Sequence, residues 1–264
     1  MIYLSLIIVL ILVVAVVLRL NRHGLLPHAT NDILAPQPLE TLFEKIDTTP
    51  DSPIGFGYKM SWLAIKSTNA NAVLEAIDIE NLQPANWETG NVAAYHGHAF
   101  VSPPVNGWVL VASNHLPGLG SETEPDHLTQ LLSSLSLKFG EVQYFSTHRV
   151  VGYHAWGRFA NGTETRAFAY LGERGEILAD RGESDSEAEL GYKYFDPDSP
   201  DADSDSYWER EDLCYPDEEH VMEVAGQWSV NPTTLEDLDL PPSVGWIGNL
   251  VDKSDEMTSL KTVS

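Results

Sequence analysis

The sequence predicts an α+β protein: an N-terminal transmembrane helix, a linker, then a domain built on a mainly antiparallel sheet with a few packed helices. Three observations carry this reading. Met1 to Leu18 holds no charged side chain and is almost all Leu, Ile and Val. Downstream, β-rich stretches come in runs with helical stretches between the runs, the pattern of an α+β fold rather than of alternating βαβ units. The turn dipeptides Asn106-Gly107 and Asn161-Gly162 join β-rich stretches, as antiparallel hairpins require.

At about 1.5 Å per residue the apolar run spans about 27 Å as a helix, close to the roughly 30 Å of a bilayer core. A cleavable signal peptide would need a positive n-region and a small-x-small exit. The chain instead starts Met1-Ile2-Tyr3 and leaves the run through Val16-Val17-Leu18-Arg19-Leu20-Asn21. The expectation is therefore a retained anchor over residues 1–20. Arg19, Arg22 and His23 flank only its C-terminal end, which the positive-inside rule places in the cytoplasm. That predicts a single-pass inner-membrane protein, N-terminus outside and body cytoplasmic. Cys214 is the only cysteine, so no intramolecular disulfide forms, which agrees with a reducing compartment. Asn161-Gly162-Thr163 fits a glycosylation sequon and is read as a turn.

Residues 21–56 read as a linker, broken by Pro27, Pro36, Pro38, Pro50 and Pro53, with a short helix possible over Pro38 to Ile46. The body is expected over residues 57–248, followed by a polar tail at 249–264. Tyr58 to Lys66 gives the first strand pattern. Asn69 then caps a short helix over residues 70–77, with Val73, Ala76 and Ile77 at helical spacing. Ala99 to Val101 and Trp108 to Ala112 form a hairpin around Asn106-Gly107, and Pro103-Pro104 within it suggests a sheet edge or a bulge. A helix follows from Pro125 to Phe139, with Leu128, Leu131, Leu132 and Leu135 on one face and Gly140 ending it. Four strands then alternate with turns: Val142 to Val151, Tyr153 to Ala160, Thr163 to Leu171 and Glu176 to Asp180. Asp217 to Trp228 makes the last amphipathic helix, its first-turn acids favoured by the helix dipole. Whether the strands form one sheet or two is open at this stage.

Composition sets the limits on function. The 264 residues are 43% hydrophobic, with 7 Trp, 10 Tyr and 8 Phe, enough for a real core. Net charge is −24, and residues 173–240 hold 22 Asp and Glu against 4 Lys and Arg. Such a surface lacks the clustered cations that phosphate contacts need, so nucleic acid is excluded as a partner class. It also holds the body off an anionic leaflet by like-charge repulsion, within a Debye length of about 8 Å.

Several constellations could carry chemistry. Asp201, Asp203, Asp205, Glu209 and Asp212 stand at positions 1, 3, 5, 9 and 12 of an EF-hand-like loop, the oxygen-rich array calcium takes; Ser206 replaces the turn glycine and Asp212 the usual Glu. Calcium is the only cofactor this suggests, and a solvated acidic loop is the plain alternative. His96 and His98 lie two apart and could share a strand face, while His148 and His154 fall on neighbouring predicted strands. Glu173 and Glu176 sit on a predicted turn, where carboxylates are ordinarily solvated. No nucleophile-elbow, phosphate-loop, dinucleotide or His-Glu-x-x-His motif occurs. Tyr207 and Trp208 stand inside the acidic run beside Glu209, Glu211 and Asp212, an aromatic anchor ringed by carboxylates that suits a basic protein partner.

Asn106-Gly107-Trp108-Val109-Leu110-Val111, Phe139-Gly140-Glu141-Val142-Gln143-Tyr144-Phe145 and Ala169-Tyr170-Leu171-Gly172-Glu173-Arg174-Gly175-Glu176 resemble a pattern that recurs in uncharacterised bacterial membrane-anchored α+β proteins. The resemblance covers roughly Gly57 to Gly248. It implies a shared fold and a bacterial source, and no activity or site residue comes with it. The functional expectation is a membrane-tethered acidic domain that binds another protein, in one version an immunity-like protein capping a basic partner. The competing expectation is an enzyme with a dispersed, metal-dependent site at His96, His98, His148 or His154. Convergence of those histidines in one cleft would favour the enzyme.

Overall fold

The computed structural model describes residues 36–120, 127–173, 175–196 and 199–251. The expected anchor at 1–20, the first part of the linker and nearly all of the polar tail lie outside the described residues. Among the described residues, no helix is long and apolar enough to cross a membrane.

The fold is α+β, with one antiparallel sheet of nine strands and a few helices. In chain order the elements are α1 (Leu39–Leu42), β1 (Met60–Lys66), α2 (Ala70–Leu74), β2 (Ile79–Asn86), α3 (Trp87–Tyr95), β3 (Ala99–Val101) and β4 (Trp108–Ser113). Then come α4 (His127–Phe139), β5 (Glu141–His148), β6 (Tyr153–Ala160), β7 (Thr163–Leu171), β8 (Glu176–Gly182) and α5 (Asp185–Glu189). The described residues finish with a 3-10 turn at Pro200–Asp203, α6 (Asp205–Trp208), α7 (Glu218–Trp228), a 3-10 turn at Pro232–Asp237 and β9 (Val244–Leu250). The strands are ordered β2-β9-β3-β4-β1-β5-β6-β7-β8, so the question of one sheet or two resolves to one.

Helices cover both faces, which is why the central strand β1 is buried at every position but Lys66. Side chains alternate across a strand. Trp62 and Ala64 accordingly meet Phe145 and α7 residues Val221, Ala225 and Trp228 on one face. Leu63 and Ile65 meet Leu128, Leu132 and Leu135 of α4 on the other. Each of those leucines contributes roughly 1.5–3 kcal/mol relative to exposure. Asp217 caps α7 by accepting from the backbone N–H groups of Glu219 and His220.

The β5–β8 meander follows the predicted strands in consecutive antiparallel pairs, except that β5 stops at His148 and residues 149–152 form its turn instead of extending the strand to Val151. Asn106 and Gly107 both take positive φ, 49° and 88°, as the tight turn demands. Pro103-Pro104 marks neither an edge nor a bulge. β3 and β4 are interior strands, and the prolines occupy a loop between them where the Ser102 hydroxyl accepts from Leu110 N at 2.9 Å.

Residues 36–56, read from sequence as linker, pack on the body. Leu39, Phe43, Ile46 and Ile54 lie against the first core and Phe56 is buried in it. The Asp51 carboxylate accepts from Trp87 N at 2.7 Å and Glu88 N at 3.0 Å, capping α3. The prolines forbid long elements here, but an extended arm can still bury apolar side chains. The packed domain therefore begins by Pro36, and its last strand runs to Leu250.

Candidate functional site

The acidic segment from Tyr192 to Asp217 is shaped by aromatic stacking and by one buried ion pair rather than by a ladder. Its two limbs meet at a parallel bridge between Tyr194 and Cys214, where Cys214 N donates to Lys193 O at 2.7 Å. Between them, Phe195 is buried and serves as the base of a ring cluster. Tyr215 stacks on it at 5.3 Å with planes 19° apart, Trp208 lies at 5.7 Å, and Tyr170 of β7 meets it edge-on at 5.6 Å.

Tyr207 and Trp208, adjacent in sequence, go opposite ways. Tyr207 is buried, its hydroxyl accepting from Asp196 N at 2.6 Å. Trp208 stays 38% exposed, its indole N–H donating to Ala202 O at 2.8 Å, and Tyr215 is 39% exposed, its hydroxyl donating to Trp208 O at 3.3 Å. Two anchored, half-open rings thus sit among exposed Asp201, Asp203, Asp205, Glu209 and Glu211. Asp212 is already engaged. Arg210 donates to both its oxygens at 2.8 and 2.6 Å and Lys193 adds a bond at 2.7 Å, holding the carboxyl well below the usual range. The Arg210 guanidinium lies 5.6 Å over the Tyr207 ring, so this segment already receives one cation on an aromatic face.

The calcium array expected of Asp201, Asp203, Asp205, Glu209 and Asp212 does not assemble. The stretch folds as a 3-10 turn followed by the helical turn α6, Ser206 lies inside that turn, and Asp212 faces Arg210 and Lys193. Among the described residues, no group of three His, Cys, Asp or Glu side chains could hold a metal ion.

The histidines do not converge. His96 and His98 flank the bend at Gly97 instead of sharing a strand face. His96 Nδ1 contacts Val92 O at 2.8 Å, whereas buried His98 contacts Asn249 Oδ1 and Gln37 O, both at 2.7 Å, tying the arm to the last strand. His154 contacts Thr147 Oγ1 at 3.1 Å from the neighbouring strand. Burial pushes its imidazole down to about 4, against the opposing pull of Asp217. Burial lowers His148 as well. β4 and β1 separate the first histidine pair from the second. Glu173 and Glu176 are exposed at the β7–β8 turn. The Cys214 thiol is pushed up to about 12 by burial and by the Asp217, Glu187 and Glu223 carboxylates, which disfavours the nucleophilic thiolate.

A network that sequence reasoning missed holds the segment in place. Arg166 of β7 and Glu187 of α5 are 4% and 5% exposed and paired through two bonds of 2.8 and 2.7 Å. Arg166 also donates to Asp180 at 2.6 Å. Glu187 further accepts from Trp156 Nε1 and from the Tyr194 hydroxyl, both at 2.9 Å. Burial opposes the Arg166 charge, yet the bonds to Glu187 and Asp180 outweigh it and raise the guanidinium above its ordinary value. The Tyr194 ring stacks on Phe168 at 4.2 Å, so the ion pair seats the limb that carries Phe195 onto the sheet. The only sequence signal was a cation inside a strand that otherwise becomes apolar, Arg166-Ala167-Phe168-Ala169.

The chain matches no protein-family profile, no curated protein and no solved structure.

Proposed function

We propose that this chain is a membrane-tethered, non-enzymatic domain whose acidic segment binds a basic protein. The observation that carries the reading is the pair of half-exposed rings, Trp208 and Tyr215, seated on buried Phe195 and ringed by exposed carboxylates. Binding hot spots have this form, a rigid aromatic anchor within a charged rim that steers an oppositely charged partner. An immunity-like protein capping a basic toxin would use such a surface. The apolar run at residues 1–20 supplies the tether, with the body on the cytoplasmic side, and accessibility of a C-terminal tag in intact cells checks that orientation. The enzyme alternative gains no support from the positions of the histidines.

A photo-crosslinking residue placed at Tyr215, with Leu137 as control, tests the binding reading in the native cell. Leu137 is 71% exposed and lies against Gly162 in the β6–β7 turn. One discrete adduct with a basic protein at position 215 and none at 137 is expected. The same adducts at both positions, or none, would overturn it.

A further inference from the structure

The chain holds two Asn-Gly dipeptides, and both sit in tight turns of the sheet with nearly the same backbone. Asn106 and Asn161 each take φ 49°, and Gly107 and Gly162 take 88° and 84°. Both asparagines are exposed. What differs is how each turn is held. The Asn161–Gly162 turn is clamped to the C-terminal end of α4, where Asn161 N donates to Gly140 O at 2.9 Å and Gly162 N to the Ser136 hydroxyl at 2.8 Å. Ser136 is fully buried, and a Cβ on Gly162 would stand 2.7 Å from Leu137 Cδ2.

The Asn106–Gly107 turn stands in open space, with nothing within 4 Å of a Cβ built on Gly107. The bonds that fix it lie on either side of the Asn106–Gly107 peptide. Val105 N donates to Trp108 O at 2.7 Å, Trp108 N to Val105 O at 2.9 Å, and Ser67 N to Gly107 O at 3.0 Å. Among the described residues, neither Asn106 O nor Gly107 N has a hydrogen-bond partner.

That peptide is the one that must move if an asparagine is to react with its own backbone. In the left-handed region ψ lies near roughly +30 to +60°, which points the following nitrogen away from the asparagine side chain. The peptide plane has to swing round before that nitrogen can reach Cγ, and a following glycine, lacking Cβ, allows the swing. At Gly162 the swing breaks the bond to buried Ser136 and meets Leu137; at Gly107 it breaks no bond.

We propose that Asn106 is a site of spontaneous deamidation and isomerisation in the folded protein, and that Asn161 is protected from it. Gly107 N gives up its proton and bonds to Asn106 Cγ, and the Cγ–Nδ2 bond breaks to release ammonia, leaving a five-membered succinimide. Water then opens the ring at one of its two carbonyl carbons. Opening at Cγ gives aspartate with the original main chain; opening at the backbone carbonyl gives isoaspartate, with the main chain routed through the side chain. Either product adds a carboxylate to the turn, and isoaspartate also adds a methylene. A two-residue turn has no slack for an extra atom, so the Val105–Trp108 bonds are lost in the isoaspartyl form.

Incubation of the purified full-length protein in detergent and mildly alkaline heavy-oxygen water tests this, with mass-spectrometric peptide mapping at both sites. Conversion at 106 should outrun conversion at 161 by about tenfold, the rate factor of one lost hydrogen bond. In denaturant the two sites should convert at similar rates. Ser136→Ala, which frees Gly162 N, should speed conversion at 161 severalfold and leave 106 unchanged. No conversion at 106 in the folded protein, equal or faster conversion at 161, or the same ratio of rates in denaturant would overturn the proposal. An unchanged rate at 161 in Ser136→Ala would overturn the clamp as the source of protection.

Discussion

The β5–β8 meander and the acidic segment that packs across it are separated only by α5 in sequence and are built on opposite principles. In the meander, alternating side chains fill two cores and the carbonyl and amide groups are met by neighbouring strands. From Tyr192 to Asp217 there is almost no ladder; order comes from rings stacked on Phe195 and from the buried Arg166–Glu187 pair. A surface can thus be strongly charged and still hold aromatic side chains in fixed, half-open positions, provided a few buried polar contacts seat it. A partner needs such positions, because mobile rings would lose entropy on binding.

The sharpest way to break that difference is Glu187→Ala. It leaves the Arg166 guanidinium buried and half-paired and strips partners from Trp156 Nε1 and the Tyr194 hydroxyl, so a loss of about 3–5 kcal/mol is expected in chemical denaturation. Limited proteolysis should then cut first between residues 192 and 215, not in the meander. Arg166→Met combined with Glu187→Leu should cost less than Glu187→Ala alone, since no charge stays stranded.

Acid tests the sheet side of the comparison. His154 is 4% exposed, and burial pushes its imidazole down to about 4 in the folded state, against 6.5 for an unperturbed imidazole. On acidification the unfolded chain takes the proton first, so this contribution is complete above the unfolded value and is lost as pH falls towards 4. The loss amounts to about 3 kcal/mol by pH 4, and the wild type should lose that much more over this window than His154→Gln.

Trp208→Ala should do the reverse of Glu187→Ala, with little change in stability because the ring is half exposed, but about 2 kcal/mol less affinity for the basic partner, roughly thirtyfold in Kd. Arg210→Gln should have the smallest effect on thermal stability and a gain in partner affinity, because it leaves Lys193 as the one cation paired with the Asp212 carboxylate among the described contacts. Titration calorimetry with the crosslinked partner would measure both.

Periodicity made most of the fold legible. β1, the β3–β4 hairpin, α4, the meander and α7 all carry an uninterrupted apolar pattern or a turn dipeptide. β2, α3 and β9 do not. β2 is an edge strand, mostly exposed and interrupted by Pro84 and an irregular register, so it shows no alternation. β9 carries Gly245 and Gly248, because a Cβ at Gly245 would stand 2.5 Å from Val101 O, and glycine depresses any strand signal. In the site, composition exposed the acidic rim and the Tyr207–Trp208 pair. It could not show that Tyr207 turns inward, or that Phe195 and Tyr215, twenty residues apart, close into one cluster through the Tyr194–Cys214 bridge. The Arg166–Glu187 pair was equally hidden, since Glu187 is one acid among many in its stretch of sequence.

Binding at the Trp208–Tyr215 surface is tested most directly by pull-down from native membranes, wild type against Trp208→Ala with Tyr215→Ala, at low and at raised salt. One stoichiometric basic partner, held by the wild type at low salt, released as salt rises and absent from a variant whose sheet still unfolds cooperatively, is the predicted result. Identical partners on both proteins, or retention unaffected by salt, would contradict it.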